Sequence, residues 1–328
     1  MKRILILAVL ALVACSSPKK VKTMGSVERF DSALDNYIDV NTIPEVIAEG
    51  FDWSEGPVWV ESENMLLFSD VPKNIVYKWT EANGLEKFLE PSGYTGNIPR
   101  EGEMGSNGLT LDNEGKLILC QHGDRRVARL NSDFKHPQPD FTTLAGGYDG
   151  KRFNSPNDVI FDDQGNFYFT DPPYGLLKNM QDSSKEISFQ GVYKVKPDGT
   201  IILLVDSLTR PNGVGLSPDN QTLYVGNSDG PVAKWYSFTV SGDSLTNARI
   251  FYSTNYREGE KGAPDGLRVH STGAVFASGP GGIWIFDPSG KALGRIIIPE
   301  ATANCEFSPD EKTLFTTSDN YLLKVKLK

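Results

Sequence analysis

One short pattern recurs six times along this chain: an apolar strand-like run, a polar turn, and a second apolar run. The copies cover 58–70, 109–120, 159–170, 214–226, 267–278 and 306–318. Their turns read Glu61-Ser62-Glu63-Asn64, Asp112-Asn113-Glu114-Gly115, Asp162-Asp163-Gln164-Gly165, Ser217-Pro218-Asp219-Asn220, His270-Ser271-Thr272-Gly273 and Ser308-Pro309-Asp310-Glu311. Polar turns between apolar runs are hairpin signals. With Trp59, Leu111, Phe161, Leu216, Val269 and Phe307 taken as equivalent, the steps are 52, 50, 55, 53 and 38 residues. A third aromatic or β-branched run follows each hairpin, as at 75–79, 192–195, 283–286 and 322–325. Six units of three or four strands at this period predict an all-β fold, a six-bladed β-propeller over residues 41–328. A sandwich uses fewer strands, and a helical solenoid would carry a 3.6-residue period that is absent. The run around Val46 to Ala48 is placed to close the ring as the outer strand of the last blade. The chain has 328 residues, 39% of them hydrophobic, enough to bury one large core.

The first residues follow a different logic. Lys2 and Arg3 precede an apolar run, 4–13, that is too short to span a bilayer. It ends in Leu12-Val13-Ala14-Cys15, which resembles a bacterial lipobox. The expectation is a lipoprotein signal peptide over 1–14, lipidation of Cys15, and a flexible tether over 15–40. That makes an exported bacterial lipoprotein, periplasm-facing or at the outer membrane, held to the membrane through its lipid anchor only. The alternative is an ordinary secretory signal with an incidental cysteine. Of the other cysteines, Cys120 and Cys305 sit in apolar runs that favour buried free thiols, although an exported compartment permits a disulfide.

The repeat also aligns polar residues. Four positions before each apolar anchor the chain reads Glu55-Gly56, Asn107-Gly108, Asn157-Asp158, Asn212-Gly213 and Asp265-Gly266, with Asn304-Cys305 displaced by one and read as structural. Asn-Gly and Asp-Gly are common turn formers. Five such residues at one repeat position, however, converge on the axis of a propeller. Carboxylate and amide oxygens without thiolate or imidazole suit one hard divalent cation, Ca²⁺ first, with Mg²⁺, Mn²⁺ or Zn²⁺ as alternatives. The net charge of −9 and the lack of a basic run beyond the N-terminal region speak against nucleic acid and leave a small molecule as the partner.

These same residues carry a family likeness. Glu55-Gly56-Pro57-Val58-Trp59, Asn154-Ser155-Pro156-Asn157-Asp158-Val159, Phe169-Thr170-Asp171-Pro172-Pro173-Tyr174-Gly175, Arg210-Pro211-Asn212-Gly213, Pro264-Asp265-Gly266 and His122-Gly123-Asp124-Arg125-Arg126-Val127 together resemble the regucalcin/gluconolactonase family, in its bacterial gluconolactonase branch. The resemblance runs from about residue 45 to 328. It implies Ca²⁺-dependent hydrolysis of a lactone or ester such as gluconolactone. It implies that Glu55, Asn157, Asn212 and Asp265 bind the metal, that Asp265 is the acid/base, and that Asn107 contacts substrate or water. Glu55 is a second candidate for the base. The one Gly-x-Ser-x-Gly string, Gly226-Asn227-Ser228-Asp229-Gly230, is followed by Pro231 and a β-branched and aromatic run rather than a helix, which leaves a serine triad unsupported.

Further polar residues have two readings each. His122 orients substrate hydroxyls or caps a strand. Arg125 clamps substrate or decorates a blade surface. Asp171 reaches substrate or caps the Pro172-Pro173 turn. Tyr174 with 176–188 forms a lid or an ordinary inter-blade loop, and 93–105 is a second candidate to line the mouth. The competing functions are a phosphotriesterase-like or aryl-esterase activity on the same scaffold, and a non-catalytic propeller that binds a ligand or a protein.

Overall fold

Local chemistry explains why each repeat becomes a hairpin. In the second and third repeats Asp112 and Asp162 turn the chain. Asp112 Oδ1 accepts the N–H groups of Glu114 (3.0 Å) and Lys116 (2.8 Å), and Asp162 Oδ1 does the same for Gln164 (3.0 Å) and Asn166 (2.9 Å). Gly115 and Gly165 then take φ of 76° and 80°, which only glycine adopts cheaply. In the fourth and sixth repeats serine does this work: Ser217 Oγ and Ser308 Oγ accept Thr222 N and Thr313 N at 2.9 and 3.0 Å.

A computed structural model describes residues 21–328. Its strands form six four-stranded antiparallel blades, with a fifth strand added to one of them. Blade 1 comprises Ser54–Val60, Met65–Asp70, Ile75–Thr80 and Gly84–Leu89, from the axis outward. Blade 2 comprises Ser106–Leu111, Leu117–Gln121, Arg126–Leu130 and Phe141–Ala145. Blade 3 comprises Val159–Phe161, Phe167–Asp171, Gly191–Val195 and Ile201–Val205. Blade 4 comprises Pro211–Leu216, Thr222–Asn227, Val232–Ser241 and Ser244–Asn255. Blade 5 comprises Leu267–Val269, Val275–Gly279, Gly282–Phe286 and Ala292–Ile297. Blade 6 comprises Thr302–Phe307, Thr313–Ser318 and Tyr321–Lys326, and its outer strand is Glu45–Glu49.

The early segment thus closes the ring, as the repeat pattern predicts: Val46 pairs with Leu323 and Glu49 with Tyr321. One expectation is corrected in part. The tether expected over 15–40 is ordered from within. Ser26–Arg29 adds a fifth strand to blade 5 against Ala292–Ile297. A 3₁₀ turn, Ser32–Asn36, capped by Asp31, then drives Leu34 and Ile38 to full burial between blades 5 and 6. Apolar side chains in an otherwise polar segment have a blade edge to cover, and burying them offsets the chain's ordering entropy. Cys15 and the signal segment lie outside the described residues.

The cores lie between blades rather than inside one. Leu67 and Val76 of blade 1 pack with Leu109 and Leu119 of blade 2. Phe153 and Phe169 join Ile118 and Cys120 across blades 2 and 3. Cys120 and Cys305 are buried free thiols.

Candidate active site at the channel mouth

Each inner strand begins with a local irregularity, and this is what aims the site. The pairing register slips between Glu55 and Val58, Ser106 and Leu109, and Pro211 and Val214. In blades 3 and 5 the regular strand starts only after Asn157 and Asp265. A bulge adds a residue to one strand and re-aims its side chain. The polar residues so turned line one cavity of about 260 Å³, together with Trp53, Glu103, Tyr174, Arg210, Ser228 and Thr302. Glu55, Asn107, Asn157, Asn212 and Asp265 all face it.

The glycines after these residues have a reason beyond turn formation. A Cβ on Gly56 would stand 2.2 Å from Asn107 O, one on Gly108 2.6 Å from Asn157 O, and one on Gly213 2.2 Å from Asp265 O. The inner strands approach too closely for any side chain there.

Hydrogen bonds tie the amides into a chain. His122 Nε2 lies 3.2 Å from Asn157 Oδ1. Asn157 Nδ2 donates to Asn212 Oδ1 at 2.5 Å, and Asn212 Nδ2 donates to Ser228 Oγ at 2.9 Å. Ser228 Oγ in turn donates to Pro264 O, beside Asp265. The carboxylates are less well served. Glu55 is 2% exposed and accepts Gly56 N at 3.0 Å and Trp53 Nε1 at 3.4 Å. Burial, with nearby acidic side chains, pushes it up to about 8. Burial and then the Glu55 charge hold Asp265 well above the carboxylate range. Asp265 Oδ1 and Asn107 Oδ1 are buried without a hydrogen-bond partner. Two carboxylates and unpartnered amide oxygens around one cavity fit a hard cation, whose charge would remove both penalties. Among the described residues no cluster of three or more His, Cys, Asp or Glu forms a cage. The donor set needs the amides.

Three residues expected near the substrate do not line the cavity. His122 is fully buried behind Asn157, with Nδ1 3.4 Å from Glu103 Oε2. Arg125 is buried and gives its Nε to Phe153 O (2.6 Å) and Nη1 to Ser184 O (2.8 Å). Asp171 ends the second strand of blade 3, fully buried, and its carboxylate accepts Asn154 N and Ser155 N, each at 2.8 Å. Burial pushes Asp171 up to about 7. A buried acid holding two backbone donors organises a loop rather than a ligand. The stretch 176–188 leaves Leu177 exposed at 62% and contributes no side chain to the cavity. The 93–105 loop does contribute, through Glu103.

Sequence reasoning missed a second layer below the mouth. Asp158 stands where blades 1, 2, 4 and 5 carry glycine. Its carboxylate lies 3.9 Å from Arg268 Nη1, and Arg268 Nε donates to Glu306 Oε2 at 3.0 Å. Arg268 also donates to Leu267 O at 2.9 Å. The signal was Arg268 and Glu306, two charges that follow the polar ring positions within the apolar run of their inner strands.

Against this geometry, residues 53–320 match the model of the SMP-30/gluconolactonase/LRE-like region. The chain belongs to that family. Its sequence is 40% identical over 314 residues to a gluconolactonase of Zymomonas mobilis, covering 93% of this chain and 87% of that one. It is 24% identical to a regucalcin of Xenopus laevis over 278 residues, 83% and 85% of the two chains. A solved gluconolactonase from Xanthomonas campestris superposes with a TM-score of 0.82 at 30% identity, over 96% of this chain and 99% of that one. The chain is a lactone-hydrolysing enzyme of the ester-bond hydrolases. The non-catalytic reading is set aside.

Proposed function

We propose that this chain opens a sugar lactone such as D-glucono-δ-lactone with one divalent cation, Ca²⁺ by its donor set, held by Glu55, Asn157, Asn212 and Asp265. One observation carries the reading: Glu55 and Asp265 face one cavity with no basic partner, beside unpartnered oxygens of Asp265 and Asn107. A bound dication supplies Lewis acidity toward the carbonyl oxygen and charge compensation for the two acids. The chain's own residues do the rest. Asp265 accepts a proton from the attacking water, with Glu55 held rigid by Gly56 N and Trp53 Nε1. Asn107 offers an amide to the ring substituents. The His122–Asn157–Asn212–Ser228 chain fixes which way each amide points.

The test is lactone hydrolysis with and without EDTA, beside Asp265→Ala. Loss of kcat by about 10²–10⁴-fold in the variant, and metal-restored turnover in the parent, are expected. Metal-independent turnover, or turnover of phosphotriesters alone, would overturn the reading. Adding back Ca²⁺, Mg²⁺, Mn²⁺ or Zn²⁺ identifies the ion. The chain is further proposed to be an exported lipoprotein, from Leu12-Val13-Ala14-Cys15. Radiolabelled palmitate should enter the parent and not Cys15→Ala.

A further inference from the structure

We propose that Tyr174 is the proton donor to the alkoxide that leaves when the lactone ring opens; this rests on the lactonase reading above. The chemistry creates the need. Water adds to the carbonyl carbon, the ring C–O bond breaks, and its electron pair leaves on an oxygen far more basic than water. Such a leaving group departs with a proton or not at all.

The cavity offers few donors. Glu55 and Asp265 are committed to cation and base. The asparagine amides are not acids at any working pH, and a guanidinium such as Arg210 keeps its protons. The Ser228 hydroxyl is given to Pro264 O, and the Trp53 indole to Glu55. Glu103 faces His122 Nδ1 at 3.4 Å. Tyr174 remains, lining the same cavity as Asp265, Arg210 and Ser228.

Its placement is built rather than incidental. Ser155 Oγ donates to Pro172 O at 2.6 Å and accepts Gly175 N at 2.9 Å, so one hydroxyl clips both ends of the Tyr174 turn. Asp171 holds Ser155 through its backbone N–H. Arg100 reaches across from the 93–105 loop, donating to Gly175 O at 2.5 Å and Gly123 O at 3.1 Å. Gly175 is packed on His122, where a Cβ would come within 2.7 Å of the His122 Cβ. A ring pinned in this way loses little entropy on meeting substrate. Burial and the Asp265 charge hold its phenol above the ordinary tyrosine range, so it stays protonated across working pH. Arg210, 5.9 Å from the ring centroid, steadies the phenolate formed as the proton leaves.

The balance is closed. Asp265 gains one proton from water, Tyr174 gives one to the alkoxide, and a net transfer of one proton through solvent at the mouth resets both. The product is the hydroxy acid, with its new hydroxyl protonated, and its carboxyl then releases its own proton to solvent to become the carboxylate.

The experiment is Tyr174→Phe assayed at saturating Ca²⁺ on two substrates. D-Glucono-δ-lactone expels an alkoxide and dihydrocoumarin expels a phenolate, which needs no proton. The expected result is a fall in kcat of about 10²-fold on the sugar lactone, with kcat on dihydrocoumarin and Ca²⁺ affinity by calorimetry unchanged. Equal losses on both substrates, or no loss on either, overturn the role of Tyr174. Should phenylalanine loosen the turn, 3-fluorotyrosine at position 174 retains the shape and lowers the phenol's pKa. Its kcat must then shift on the sugar lactone alone, and unchanged kcat on both substrates sinks the proposal. A parent enzyme inactive on both substrates sinks the lactonase reading itself, and this role with it.

Discussion

Two layers of the same channel, one to three residues apart on the same inner strands, solve the problem of buried carboxylates in opposite ways. In the lower layer Asp158 and Glu306 share Arg268, a cation the chain carries with it. Burial raises proton affinity in both layers, but in the lower one Arg268 opposes the rise, whereas in the upper layer Glu55 and Asp265 have no such partner and repel each other. The arginine of the upper level, Arg210, sits over the Tyr174 ring and pairs with neither carboxylate, which leaves room for a cation from outside. The lower layer reads as a plug that shuts the channel, the upper as the place where chemistry happens.

The largest effect should come from breaking the lower layer. Arg268→Met strands two buried carboxylates, so unfolding free energy should fall by about 3–5 kcal/mol, measured by urea denaturation at neutral pH. Adding Asp158→Asn and Glu306→Gln should recover most of that loss. A loss no larger than that of an exposed pair would show that the plug carries no stability.

The upper layer should show itself in the pH dependence of stability. Glu55 titrates near 8 when folded, against 4.5 when free. The folded state therefore binds an extra proton between those values. The stability this contributes is present at low pH and is lost as pH rises through about 8. Cation-free protein should lose about 1–3 kcal/mol across that window. Glu55→Gln should flatten the slope, and saturating Ca²⁺ should remove it. An identical slope in parent and variant would dismiss Glu55 as its source.

The smallest effect sharpens the comparison at its rim. His122 touches Asn157 and not the cavity. His122→Phe should therefore weaken Ca²⁺ binding by about 10-fold through a misdirected amide, read by calorimetry, with little change in KM. A raised KM with unchanged Ca²⁺ affinity would return His122 to the substrate.

Much of this was legible in the chain. Six hairpins, the closing strand near Val46 and the ring of Glu55, Asn107, Asn157, Asn212 and Asp265 follow from periodicity, since equivalent positions in a repeat meet at one axis. Residues outside the repeat were legible only as candidates. Asp171 and Arg125 sit in motifs near the site, yet their partners are backbone groups that no spacing rule identifies. Tyr174 and Glu103 come from loops whose path is set by Arg100 and Ser155.

The sequence by itself determined the blades, their number and the polar ring, because strand pattern and turn chemistry are local and repeat. Only the tertiary structure decided which carboxylates are neutralised from within, which loop residues enter the cavity, and that residues 26–38 join the ring rather than hang from it. Those outcomes depend on contacts between residues far apart in sequence. Their energies, from burial and from unpaired charge, exist only once the ring has closed.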